Sequence, residues 1–276
     1  LSGASSVTKK KLVLTTFGFS STKLKALVEQ ATEVPPKDFL SVLSFNSGNW
    51  GRTKVLPRSL ASICLNTGVK ENILKKLDWF LANRETYRAF GTTYKMGWLF
   101  SGEPGTGKTS LVKALASYLK QDVYLFNLSA MSDATLEVAV AEVPSGSVLL
   151  FEDIDCASGF TSREEKSQLG NGVSLGAVLS VLDGIRSAEG HLIFMTTNYP
   201  DRIDSAILRK GRTDVHISID ALEDDAVQEM SVSLFGRSVN KVSRIKGCDL
   251  QAIAFEHRDN FTSFDAAFEP FRAERI

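Results

Sequence analysis

The amino-acid sequence predicts an α/β protein built on a parallel sheet with flanking helices, and three observations carry the prediction. Short apolar runs alternate with helical stretches from residue 97 onward. A glycine-rich segment, Gly102-Glu-Pro-Gly-Thr-Gly-Lys-Thr109, joins the first of these runs to a helix. A third run, Val148-Leu-Leu-Phe151, ends in the carboxylates Glu152, Asp153 and Asp155. Continuous apolar strands that alternate with helices mark a sheet covered on both faces. Ligand-binding groups of such sheets gather at the carboxyl ends of the strands.

The elements follow in order. Residues 23–32 read as a helix with Leu24, Leu27 and Val28 at helical spacing, stopped by Pro35 and Pro36. Residues 39–45 and 53–56 look extended around the turn formers Asn46-Ser-Gly-Asn49. A helix over 69–80 places Ile73, Leu74, Leu77 and Leu81 on one face. Strands are predicted at 98–100, 123–126, 148–151, 192–195 and 215–219, with helices at 110–119, 134–143 and 174–185. Beyond Asp220 the pattern is helical, at 226–235, 250–257 and 263–272. The organisation is therefore a small N-terminal α+β domain (1–57), a nucleotide-binding core (58–220) and a C-terminal helical lid (221–276).

Composition excludes several classes. The chain has 276 residues, 43% of them hydrophobic, which is enough for real cores and too apolar for disorder. The 32 basic and 32 acidic residues balance, against a protein held to nucleic acid by bulk charge. No run reaches the roughly 20 apolar residues of a membrane-spanning helix. Cys64, Cys156 and Cys248, like His191, His216 and His257, are too scattered for metal-ligand spacing and read as reduced thiols and isolated imidazoles of an intracellular protein. Residue 1 is leucine, and a strand-like Lys11-Leu-Val-Leu-Thr-Thr16 follows soon after. Preceding sequence is expected on that ground, and a targeting or membrane segment could lie within it.

The glycine-rich segment matches the phosphate-loop pattern, with a strand before it and a helix after it. Gly102, Gly105 and Gly107 allow backbone angles that turn successive N–H groups inward on an anion. The helix N-terminus adds partial positive charge. The predicted ATP contacts are Gly102, Glu103, Pro104, Gly105, Thr106, Gly107, Lys108, Thr109 and Ser110, with Lys108 on the outer phosphates and Thr109 on Mg²⁺. At the acidic strand end, Glu152 takes the metal place and Asp153 the water-activating place. Leu192-Ile-Phe-Met-Thr-Thr-Asn198 ends in an amide able to reach the γ-phosphate or the attacking water. Arg209 and Arg212 flank Gly211 and suit insertion into a neighbouring subunit's nucleotide site.

In this order along one chain, the parts resemble the AAA ATPases over residues 59–220. Gly102 to Thr109 is similar to Walker A, Val148 to Asp155 to Walker B, Asn198 to sensor 1, and Arg209 with Arg212 to the paired arginine fingers. A narrower resemblance is to the Bcs1 branch, chaperone-translocases of the mitochondrial inner membrane with bacterial and viral relatives. It rests on Glu152-Asp-Ile-Asp155, on Phe194-Met-Thr-Thr-Asn-Tyr-Pro-Asp-Arg-Ile-Asp204 and on Lys95-Met-Gly-Trp-Leu-Phe100, and more loosely on Leu14-Thr-Thr-Phe-Gly18, Asn49-Trp50 and Leu56-Pro-Arg-Ser-Leu60. The branch's transmembrane helix has no counterpart here.

The resemblance implies an ATP- and Mg²⁺-dependent hydrolase working as a ring homo-oligomer, a hexamer or heptamer, on a folded protein client. Nucleic acid is disfavoured as a partner, and a membrane enters only through a segment absent from this sequence. As given, the chain reads as cytoplasmic, with the mitochondrial inner membrane as the alternative. Two departures stand out. Where threading motors carry an aromatic-hydrophobic-Gly loop, this chain has Ser129-Ala-Met-Ser-Asp133. Asp153 replaces the usual glutamate, so the water must sit closer or Asp155 must assist. The polar 159–176 segment is either a loop facing a central pore or a solvated surface loop. A nucleic-acid remodeller and a non-catalytic ATP-binding scaffold are the competing functions.

Overall fold

The structure is a computed structural model that describes residues 39–46, 48–156, 172–183 and 190–272. The expected strand at 11–16, the helix at 23–32, the Leu14–Gly18 stretch and most of the 159–176 loop lie outside the described residues.

Seven strands form one sheet in the order β2-β1-β4-β5-β6-β3-β7. They are β1 (Leu40–Asn46), β2 (Asn49–Val55), β3 (Met96–Ser101), β4 (Val123–Phe126), β5 (Val148–Phe151), β6 (Leu192–Thr197) and β7 (Val215–Ser218). Strands β1, β4, β5, β6, β3 and β7 run parallel, and β2 closes one edge antiparallel. Ser44 of β1 pairs with Leu125 of β4, so the sheet runs across the expected domain boundary after Pro57. The hairpin at 40–55, assigned from sequence to a separate N-terminal domain, extends the nucleotide-binding sheet by two strands.

Period-two alternation sends the side chains of the central strands to two different cores. Leu99, Leu149, Phe151, Ile193 and Met195 face one layer, against α4 (Asp133–Ala141) and α5 (Leu175–Asp183). Trp98, Phe100, Val148, Leu150, Leu192 and Phe194 face the other, against α1 (Val69–Ala82) and α3 (Lys108–Leu119). Burying such side chains contributes about 1.5–3 kcal/mol each, which is why the central strands have no polar face. In α1 the buried stripe is Ile73, Leu77 and Phe80, while Leu81 is exposed, contrary to the expected face. Phe80 takes the core position because the helix docks against Tyr94 and Tyr87, and the Phe80 and Tyr94 rings stack 4.3 Å apart. The short helix α2 (Arg84–Ala89) carries Tyr87.

The C-terminal helices are α6 (Asp224–Phe235), α7 (Gly247–Glu256) and α8 (Phe261–Ala266). Leu222, Val227, Leu250, Phe264 and Phe268 give them a core of their own. The helix expected to run through residue 272 stops at Ala266, and a 3₁₀ turn, Glu269–Phe271, follows. Pro270 lacks the N–H that an α-helix needs at that point. Among the described residues, no helix is long and apolar enough to cross a membrane.

Candidate active site at the carboxyl ends of the strands

The phosphate loop leaves β3 at Ser101 and enters α3 at Lys108. Two glycines are fixed by their surroundings. At Gly102, φ is +146° and a β-carbon would fall 2.2 Å from the Ile219 carbonyl oxygen. At Gly105, φ is +86° and a β-carbon would meet Cys248 Sγ at 2.7 Å. The first turn of α3 leaves its N–H groups without intrahelical acceptors, so the loop presents donors and dipole to an anion. At Gly107, φ is +101°, and among the described residues no atom lies within 4 Å of where a β-carbon would sit, so the space above the loop is open there.

Lys108 is buried, and its ammonium donates to the Gly102 carbonyl at 2.7 Å, the Glu103 carbonyl at 2.9 Å and Asn198 Oδ1 at 2.8 Å. Burial holds its pKa below the ordinary lysine value, partly offset by the negative charges of Asp153 and Asp155. Asn198, at the end of β6, also donates through Nδ2 to Asp153 Oδ1 at 3.2 Å. Lys108, Asn198 and Asp153 come from three separate elements and meet in one hydrogen-bonded chain. Asp153 itself has a φ of +46°, a left-handed conformation that aspartate tolerates better than most residues. Its N–H donates to Thr196 Oγ1 at 3.1 Å.

Glu152 and Asp153 line a cavity of about 330 Å³ together with Asn127, Ser129 and Cys156. Glu152 and Thr109 offer the hard oxygen donors that suit Mg²⁺, and the loop's positive-φ glycines and open cradle suit a polyphosphate, so the residues present fit both groups. Ser110 Oγ accepts from Arg58 at 2.9 Å, which ties the start of α3 to the segment that follows β2.

The arginines lie elsewhere. Arg212 forms a two-pronged ion pair with Asp183, at 2.6 and 2.8 Å, and donates to the Ala206 carbonyl at 2.8 Å. The Asp183 carboxyl is held below its ordinary pKa chiefly by that hydrogen bonding. The Arg212 carbonyl oxygen would fall 1.8 Å from a β-carbon on Gly97, which fixes this segment beside the start of β3, at the opposite end from the phosphate loop. Arg209 is exposed. The structure brings Lys108, Asp153 and Asn198 together, and it places Arg209 and Arg212 apart from them.

Three groups at the phosphate loop, and one beside the arginines, were not foreseen. Lys246 pairs with Glu103 at 3.1 Å, and the Cys248 N–H donates to the Gly105 carbonyl at 3.0 Å, so the first turn of α7 rests on the phosphate loop. Gly247 fits there because a β-carbon would come within 3.2 Å of the Thr106 carbonyl oxygen. Asp183 is the partner of Arg212. None carries a local spacing signal, since each acts on a residue distant in sequence. In the segment after β4, Met131 is buried and Ser132 Oγ caps α4 by accepting from the Thr135 N–H, so these side chains serve the fold.

Comparison with known proteins agrees with this geometry. The family model for the ATPase family associated with various cellular activities (AAA) matches residues 98–221. A probable mitochondrial chaperone bcs1 from Schizosaccharomyces pombe is 37% identical over 185 residues, 66% of this chain and 41% of the relative. An AAA-ATPase from Arabidopsis thaliana is 38% identical over 180 residues, 62% of this chain and 36% of the relative. A probable mitochondrial chaperone BCS1-B from Dictyostelium discoideum is 28% identical over 260 residues, 82% of this chain and 57% of the relative. The chain thus spans from about a third to somewhat over half the length of these relatives. With the phosphate loop, the carboxylate-tipped strand and the Asn198 strand assembled in one sheet, the chain belongs to the AAA ATPases, in the Bcs1 family.

Proposed function

We propose that this chain binds ATP with Mg²⁺, hydrolyses it within a ring of identical subunits, and uses the cycle to act on a folded protein client. The observation that carries the hydrolytic reading is the Lys108–Asn198–Asp153 chain of hydrogen bonds. Lys108 and the loop N–H groups, with Thr109 and Glu152 as oxygen donors to the metal, hold the nucleotide; bound magnesium-ATP supplies the phosphoryl group that is cleaved. Asp153 orients the attacking water, and Asn198 reports on the outer phosphate through the same amide that now joins Lys108 to Asp153.

Arg209, exposed and distant from the chain's own phosphate loop, supports completion of the site by a neighbour. Such head-to-tail contacts close into rings when the rotation permits. Six or seven subunits, a folded client and attachment to the mitochondrial inner membrane through further sequence are the extensions we draw from the Bcs1-type relatives. Residues 129–133 hold no aromatic side chain, and with Met131 buried and Ser132 capping α4 they support a folded client over a threaded one.

The test is turnover by the purified protein at saturating ATP and magnesium. Wild type hydrolyses, Asp153→Asn binds nucleotide without hydrolysing, and Lys108→Ala does neither. Binding without turnover in wild type would make the chain a nucleotide-dependent scaffold, and stimulation by nucleic acid would make it a remodeller of that polymer.

A further inference from the structure

We propose that Asp155 is a positioning residue whose buried carboxylate ties the β6 tip to the carboxylate turn and so sets the aim of both Asn198 and Asp153. Asp155 is only 4% exposed. Its Oδ1 accepts from the Thr197 hydroxyl at 2.7 Å and from the Asn198 N–H at 3.0 Å. Its Oδ2 faces Cys156 Sγ at 3.7 Å. Oδ1 is therefore fully engaged by the β6 tip, while Oδ2 has the Cys156 thiol as its neighbour.

The geometry bears on how the shorter side chain at Asp153 is accommodated. In this proposal Asp155 acts through Asn198 rather than as a second base. The turn Asp153-Ile154-Asp155 and the tip Thr196-Thr197-Asn198 are laced together by four bonds. The Asp153 N–H meets Thr196, Asp155 accepts from Thr197 and Asn198, and Asn198 Nδ2 returns to Asp153 Oδ1. A non-glycine residue in the left-handed region is strained and persists only where its neighbours over-determine it. At Asp153 the lacing supplies that constraint. It holds the carboxylate at one fixed reach, which a side chain one methylene short needs more than a longer one does. Losing the acceptor at residue 155 strands a buried hydroxyl and a buried N–H, and the Asn198 amide is then free to drift from Lys108.

The inference rests on the ATPase reading for its kinetic arm and on this geometry alone for its structural arm. The nucleotide-free protein is examined by amide hydrogen exchange over residues 195–199, and the same preparations by fluorescent-ATP binding and steady-state turnover. Asp155→Ala is expected to speed exchange there about tenfold and to lower kcat roughly 10- to 100-fold, with the dissociation constant for ATP within about threefold of wild type. Asp155→Asn keeps an amide oxygen that accepts both bonds, and it should restore exchange protection and most of kcat. If Asp155→Ala does not melt cooperatively, Thr197→Val removes one of the two donors and should move both readouts the same way, by a smaller factor. Unchanged exchange in a folded Asp155→Ala, or an Asp155→Asn as impaired as the alanine variant, would overturn the proposal. A wild type without turnover defeats the ATPase reading instead, and the exchange arm still decides whether Asp155 holds Asn198.

Discussion

The same parallel strands end in two polar regions that are built differently. At their carboxyl ends, Lys108, Asn198, Asp153, Asp155, Thr196 and Thr197 satisfy one another in a continuous set of hydrogen bonds. At their amino ends, several buried polar atoms have no hydrogen-bond partner among the described residues, among them Ser41 Oγ, Lys95 Nζ, Gln121 Oε1 and His191 Nε2. Beside them Arg212 is pinned to Asp183, while Asp214 receives the Gly97 and Gly211 N–H groups. The carboxyl end is pre-organised, which is what electrostatic catalysis requires of groups aimed at developing charge. The amino end holds its arginine segment through the Arg212–Asp183 ion pair, the hydrogen bonds to Asp214 and a tight backbone approach at Gly97, so Arg209 projects from a braced loop.

If that contrast is functional, the largest effects come from groups that meet the nucleotide. Arg209→Ala should lower turnover by about 10³–10⁵ while leaving nucleotide binding in place. Mixing it with Lys108→Ala subunits should recover part of the activity, because each variant supplies what the other lacks. No recovery on mixing would place Arg209 outside the neighbour's site. Next comes Asp153→Asn, with a loss of roughly 10²–10⁴ in kcat and unchanged ATP affinity by fluorescence titration. A loss of affinity instead would show that Asp153 belongs to nucleotide binding.

The amino-end predictions concern stability and are smaller. Asp183→Asn breaks the brace on Arg212. Asp183 is 40% exposed on its side chain, so solvent screening limits the loss to about 1 kcal/mol or less, read as a shifted urea midpoint with an unchanged slope. The smallest effect is a pH dependence from His191. Burial pushes its pKa below the ordinary 6.5, although the Ser147 carbonyl partly opposes the shift. The unfolded chain then takes up a proton that the folded one refuses. This contribution to stability is full above about pH 6.5 and is lost as pH falls below it. His191→Gln should flatten the fall in melting temperature between pH 7.5 and 5.5, and equal slopes in the two proteins would remove His191 as the cause.

Much of the architecture is written in local pattern. Short apolar runs marked β3 through β7 to within a residue or two, because β3, β5 and β6 are buried along their whole length and leave no polar position to blur the signal, while β7 keeps a strict alternation. The phosphate loop was legible for a similar reason, since its glycines, Lys108 and Thr109 fall at adjacent positions between one strand and one helix. The hairpin at 40–55 was recognised as extended but not as part of the sheet, because register with β4 is a long-range choice that no local spacing encodes.

What the chain by itself determined is the inventory, namely which side chains carry charge, which backbone positions tolerate left-handed angles and which segments must be buried. Tertiary structure decided who pairs with whom. It gave Arg212 to Asp183, the first turn of α7 to the phosphate loop, and Asp155 to Thr197 and Asn198. Those pairings depend on distances between elements far apart in sequence, and such distances exist only once the sheet has closed around its two cores.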